Sequence, residues 1–151
     1  GSTANGVTFS SISGAYTDLV LVFNGAGNSD INVDLRFNGD TGSNYSNTAV
    51  GGQGTSATST RNSNQTAMRM NFQGYLRNAF TSLAIINIMN YSNTTTNKTV
   101  LNRYNNGDTG VDGNVGLWRN TSAITTVLIK VTDGNTFSVG STFTLYGIKA
   151  A

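Results

Sequence analysis

The chain of 151 residues contains no cysteine, no histidine and no proline, and all seven of its acidic residues are aspartate. Without cysteine there is no disulfide framework and no thiolate metal site, and without histidine the commonest zinc ligand is gone. The Ser-His-Asp and Cys-His arrangements of hydrolases go with them, since each needs a base that titrates near working pH. A glycosidase needs only two carboxylates, but no two aspartates stand in a suggestive motif, and the chain is expected not to be an enzyme.

Charge is scarce as well. Nine Lys and Arg against seven acids leave a net charge of +2, spread over a chain only 11% charged. No basic cluster marks a nucleic-acid partner. No run approaches the ~18–20 apolar residues of a membrane helix, and the N-terminus lacks a basic start followed by an apolar stretch. Neither membrane insertion nor a targeting address is read from it.

Asparagine, serine, threonine and glycine dominate what is present. Their side chains compete with the helical backbone, or leave it too free, so nearly every window disfavours helix. The hydrophobic fraction of 37% is enough for one core, and a chain of this size buries about two-thirds of its unfolded surface. Residues 1–151 are expected to form a single β-sandwich domain, standing alone or as the C-terminal part of a longer chain.

Strands follow from periodicity. Residues 31–37 alternate strictly, with Ile31, Val33, Leu35 and Phe37 on one face and Asn32, Asp34 and Arg36 on the other, the pattern of a half-buried strand. Residues 18–24 and 83–89 are apolar on both faces, as in a central strand covered on two sides or one at a subunit contact. Shorter or longer strands are expected at 7–12, 68–72 (Met68, Met70 and Phe72 inward), 100–104, 115–118, 124–131, 137–139 and 143–148. Asn38-Gly39 and Asp133-Gly134 supply the positive φ angles of tight turns. Residues 40–65, mostly Gly, Ser, Thr and Asn, are expected to be a long loop with little core. Eight or nine antiparallel strands of this spacing describe a β-sandwich of jelly-roll type, ahead of an immunoglobulin-like one, whose antibody form uses a cysteine pair.

Two phrases recur in reversed order, Asn-Gly-Asp-Thr-Gly from Asn38 and Asn106, and Asn-Tyr-Ser-Asn-Thr from Asn44 and Asn90. Reuse of turn chemistry explains them better than a tandem repeat. The first phrase, with Asp112 beyond its second copy, offers oxygens to calcium, but plain turns with Asx hydrogen bonds are the favoured reading, and no metal or cofactor is assigned. Glycosylation sequons at Asn44, Asn64, Asn90, Asn93, Asn97 and Asn120 are expected from composition alone. Trp118, Tyr45, Tyr91 and Tyr104 are the candidate glycan contacts, because amphipathic rings can stack on sugars; a buried or subunit-interface role is the commoner one for such residues. The segment 51–64 is a hydroxyl-rich surface for a host glycan or a mobile tip.

Several longer phrases go beyond composition: Val7-Thr8-Phe9-Ser10-Ser11-Ile12 with Tyr16-Thr17-Asp18-Leu19-Val20, Leu35-Arg36-Phe37-Asn38-Gly39-Asp40-Thr41, Ile88-Met89-Asn90-Tyr91-Ser92-Asn93-Thr94, Gly116-Leu117-Trp118-Arg119, and the ending Gly140-Ser141-Thr142-Phe143-Thr144-Leu145-Tyr146-Gly147-Ile148. Together they resemble a family of small structural, tail-fibre-like proteins of marine tailed bacteriophages, especially cyanophages, over nearly the whole chain. The chain departs from that family at Ser13, where a proline is common, and at Asn47 or Thr48, where a histidine is frequent; the extra N-terminal strand of many members would lie ahead of Gly1. The resemblance implies assembly and surface exposure on a virion, with no catalytic residues to carry over. The expected protein is therefore a non-enzymatic tail-appendage module for host attachment or a capsid decoration, alternatively a lectin module for host surface glycans. Its partners are other virion proteins, its own copies in a trimer, and a host glycan.

Overall fold

The computed structural model describes residues 2–149; Gly1, Ala150 and Ala151 lie outside it. Eleven strands follow one another: β1 (Gly6–Phe9), β2 (Asp18–Gly25), β3 (Val33–Phe37), β4 (Tyr45–Gln53), β5 (Ser56–Gln65), β6 (Met68–Arg69), β7 (Ser82–Met89), β8 (Lys98–Asn106), β9 (Gly110–Trp118), β10 (Val127–Val131) and β11 (Thr142–Ile148). No helix occurs among the described residues. The strands form two antiparallel sheets, one of four in the order β1-β10-β3-β6 and one of seven in the order β11-β2-β7-β8-β9-β4-β5. The fold is all-β and sandwich-like.

One core joins the sheets. Leu19, Leu21 and Phe23 of β2 and Ala84, Ile86 and Ile88 of β7 share a buried cluster with Val33, Leu35 and Phe37 of β3 and Val127 and Ile129 of β10. Each such Leu, Ile or Phe contributes roughly 1.5–3 kcal/mol on burial, so the alternating rows supply the main stabilisation. The period-two reading of residues 31–37 holds in full, with Ile31 placed just ahead of β3 by a bridge to Leu76. The apolar runs of β2 and β7 turn one face to this core, while Val20, Val22, Leu83, Ile85 and Met89 point away from it and stay partly or well exposed.

Four readings of the sequence need correction. Residues 40–65 are no loop: β4 and β5 pair over their length as a hairpin, turned by Gly54 at φ 57°. A single positive φ at the first residue of a two-residue loop suits a type II′ turn. Its polarity hid it, because no residue of β5 is buried and β5 therefore shows no apolar period. Between Met70 and Phe72 the inward residue is Asn71, fully buried, and Phe72 is half-buried, since β6 ends at Arg69 and the chain leaves the sheet. The strand expected at 124–131 begins only at Val127, and Ile124 instead donates its N–H to the Tyr91 carbonyl at 2.9 Å. The hairpin adds two strands, while residues 137–139 form none, Phe137 making only isolated bridges to Ala4 and Gly27, so the strand total is eleven rather than eight or nine.

Both turn signals are where the sequence puts them. Asn38 and Gly39 take φ of 50° and 67°, and the Asp40 N–H reaches the Phe37 carbonyl at 2.9 Å. That turn does not close a hairpin; it carries the chain from β3 in one sheet to β4 in the other. Asp133 and Gly134, at φ 59° and 72°, close the second turn through Asn135 N–H to Thr132 O at 3.1 Å.

Candidate functional site

The four rings singled out for glycan contact are all core residues. Tyr45, Tyr91 and Tyr104 are 0% exposed and Trp118 is 1% exposed, so none presents a face to a sugar, and that assignment is corrected. Tyr45 and Trp118 are cross-strand partners of β4 and β9, packed with Phe37 at centroid distances of 6.4 and 5.5 Å. Burial pushes the Tyr45 phenol up to about 12 and the Tyr104 phenol higher still. The Tyr91 hydroxyl donates to the Ser13 carbonyl. Lys98, also fully buried, spends its ammonium on the Thr96 and Thr121 carbonyls at 2.7 and 3.0 Å, and burial lowers its pKa.

The two loops considered for calcium use their carboxylates on N–H donors. Asp40 accepts from Gly42 N at 2.8 Å, Asn44 Nδ2 at 2.9 Å and Trp118 Nε1 at 2.7 Å. Desolvation opposes its ionisation, but these three bonds outweigh it and hold the carboxyl below the usual carboxylate range. Asp112, 1% exposed, accepts from the backbone N–H groups of Phe72, Gln73 and Gly74 at 2.9–3.0 Å. Asp108 pairs with Arg77 at 2.5 Å, and Arg77 also meets Asp30 at 3.1 Å. Among the described residues no group of three or more acidic side chains gathers to hold a metal.

A row of buried asparagines fastens the wide sheet to β6 and the segment that follows it. Asn114 Nδ2 donates to Arg69 O at 2.6 Å, Asn102 Nδ2 to Met70 O at 2.5 Å and Asn106 Nδ2 to Tyr75 O at 2.9 Å. Asn71 reciprocates inside the narrow sheet, accepting from Val33 N at 2.7 Å and donating to Ile31 O and Gly74 O. These amides satisfy backbone groups that β6, only two residues long, leaves without a ladder partner.

Two surfaces stand out as uncovered by any described residue. The first is the outward face of the seven-stranded sheet. Registers place Leu101 beside Val115, Val22 beside Ile85 and Tyr146 beside Val20 on that face. Val50 is 63% exposed, Val111 55%, Val115 51% and Leu101 47%. Charge on these rows is limited to Arg103 near the middle and to Arg61 and Asp18 toward the edges.

The second is a polar cleft of about 340 Å³ at the open edge of the sandwich, lined by Asp34, Asn47, Asn62, Gln65, Thr66, Ala67 and Arg69. It exists because the seven-stranded sheet extends past β6, so that β5 overhangs the narrow sheet. Sequence reasoning placed Asp34 on the polar face of its strand but had no means of bringing β5 beside it. No family model, curated protein or solved structure matches this chain.

Proposed function

We propose that this chain is a non-enzymatic structural module of a bacteriophage particle, a jelly-roll domain that assembles with its own copies and is exposed on the virion as a tail-appendage module or a capsid decoration. The observation that carries the proposal is the outward face of the seven-stranded sheet, where exposed Val50, Leu101, Val111 and Val115 stand among few charges. Seven strands at ~4.8 Å spacing and four outward positions at ~6.8 Å give a face of about 29 by 20 Å. That is on the scale of the ~800 Å² per partner buried in a standard protein interface, and monomers rarely leave such a patch uncovered. A second copy of the same chain suits it better than a nucleic acid or an acidic ligand, which would ask for a positive field. The assembly we propose is a closed ring of three copies, in which this face meets a different patch of the next copy.

Strand order supports the jelly-roll reading. In a jelly roll the first, eighth, third and sixth strands form one sheet and the second, seventh, fourth and fifth the other. Here β1-β10-β3-β6 takes the first pattern. The order β2, then the meander β7-β8-β9, then β4-β5 takes the second, with three strands in the seventh position and β11 added beside β2. Three antiparallel strands in place of one preserve the direction of every neighbour. The phrase-level resemblance to phage structural proteins supports the same reading.

Light scattering on a size-exclusion column tests assembly: a trimer mass at micromolar concentration is expected, and a stable monomer would count against it. Labelled antibody on intact virions tests location, with signal on the particle surface expected and its absence from both head and tail sinking the proposal.

A further inference from the structure

We propose that the cleft between β6 and the overhanging strand β5 binds one neutral, hydroxyl-rich sugar unit. This goes beyond the assembly role and stands without it.

The inward positions of β5 are those in register with the inward residues Tyr45, Asn47 and Ala49 of β4, namely Gln65, Asn62 and Thr60. A sandwich interior asks for apolar side chains at such positions; here all are amides or hydroxyls. β6 stops short of them, so they form a polar shelf facing the edge of the narrow sheet. Asp34 and Arg69, paired across β3 and β6, make the opposite wall.

The groups lining the cleft are short of partners. Asn47 is 3% exposed, yet its Oδ1 accepts no hydrogen bond from any described residue, an unfavourable state for a buried acceptor. The Asp34 side chain is 16% exposed and its nearest cation, Arg69 Nε, stands 3.9 Å away, beyond hydrogen-bond length. Gln65 donates from Nε2 to Ser63 O at 2.8 Å, which leaves its Oε1 as an acceptor. Acceptors therefore exceed donors, with Arg69 and the carboxamide of Asn62 supplying N–H groups beside them.

That inventory selects the ligand. A phosphate or sulfate brings only acceptors and would meet the Asp34 carboxylate. A metal cation would find one carboxylate with a guanidinium next to it. Sugar hydroxyls donate and accept at once, so adjacent hydroxyls can give protons to Asp34 and Gln65 while receiving them from Arg69 and Asn62. The volume of about 340 Å³ lies at the small end of ligand sites, which run from roughly 300 to 1,000 Å³, and suits a single ring. No aromatic residue lines the cleft, so affinity rests on hydrogen bonds, with a dissociation constant on the order of millimolar.

The test is saturation-transfer NMR on the full chain with glucose, galactose, mannose and N-acetylglucosamine, followed by amide shift mapping, with inorganic phosphate as a second probe. Saturation transfer to at least one sugar is expected, with shifts at the side-chain amides of Asn47, Asn62 and Gln65. Asp34→Asn and Asn62→Leu should each weaken binding roughly tenfold or more, as loss of a hydrogen bond to a charged or buried group does, while leaving the melting temperature and the light-scattering mass of the wild type undiminished. No transfer to any of the four sugars, shifts that map elsewhere, binding that survives both variants, or phosphate shifting the same amides would each overturn the proposal. Oligomer mass is read separately, so failure here is distinct from failure of assembly.

Discussion

Trp118 and Asp40, 78 residues apart in the chain, are joined by a 2.7 Å hydrogen bond from the indole Nε1 to a carboxylate oxygen. The bond ties the end of β9 to the turn that carries the chain between sheets. It also gives the lone tryptophan its role: the polar tip of a buried ring, held from inside the protein.

Asp40→Ala removes the acceptor for Gly42, Asn44 and Trp118 together. Leaving a buried indole N–H unpaired costs about 1–3 kcal/mol, and urea unfolding should show a loss of that size. The Asp40 carboxyl titrates below its unfolded value, so its contribution is present above the unfolded pKa and lost as pH falls through the folded one. The gap between wild type and variant should close in acid below about pH 4; a constant gap down to pH 2 would refute the account.

Asp112 holds three consecutive backbone N–H groups from β9, and these anchor residues 72–74 between the sheets. Asp112→Ala leaves these three N–H groups without their acceptor, at about 1–3 kcal/mol for each that stays unpaired, so it should destabilise by about 3 kcal/mol or more. Hydrogen exchange checks the cause. Residues 72–74 should exchange faster in the variant before global unfolding, whereas unchanged protection there would mean the loop is held by other contacts.

Asp34 behaves in the opposite sense. Burial opposes its charge and raises its pKa, more than Arg69 on β6, Lys130 on β10 and Arg36 on β3 lower it, and Asp133 adds repulsion. The folded chain holds this proton more tightly than the unfolded chain, so the group's contribution is fully favourable below the unfolded pKa and is lost as pH rises through the folded one. Asp34→Asn should therefore raise the melting temperature at pH 7, by about 2–4 °C for each kcal/mol relieved in a chain of this size. The gain should vanish below about pH 4. A variant that is less stable at pH 7 would contradict this.

Val115→Asp places a charge in the middle of the outward face, at a position 51% exposed in the single chain. A buried, unpaired charge at an interface costs several kcal/mol, so if this face holds the proposed trimer together, the variant should be monomeric at micromolar concentration, with an unchanged circular dichroism spectrum. Raising salt should leave the wild-type assembly intact, because apolar contact is not screened. Equal masses for the two proteins would place any subunit contact elsewhere.

Legibility in the sequence followed burial. Residues 31–37 were readable because every second side chain enters the core, and the outward apolar halves of β2 and β7 were already visible as doubly apolar runs. β4 and β5 were invisible for a physical reason: the wide sheet overhangs the narrow one, so the hairpin needs few apolar residues and carries Tyr45 and Ala49 as its only buried hydrophobic side chains. The cleft went unseen for the same cause, since Asp34 and Asn62 meet only through the fold. The aromatic residues were visible but their direction was not; Tyr104 and Trp118 sit at inward positions of strands whose other inward residues include asparagine and lysine, which masks the period.

Both sheets are closed by strands from opposite parts of the chain, β1 against β10 and β2 against β11. A ribosome must therefore deliver residues 127–148 before either layer has its full complement of neighbours, and the early strands wait with bare edges until then. Long-range pairing of this kind slows folding and exposes nascent chains to one another. Production of this protein should accordingly be sensitive to temperature and to chaperone supply, with soluble yield decided in the interval between translation and the arrival of the last strand.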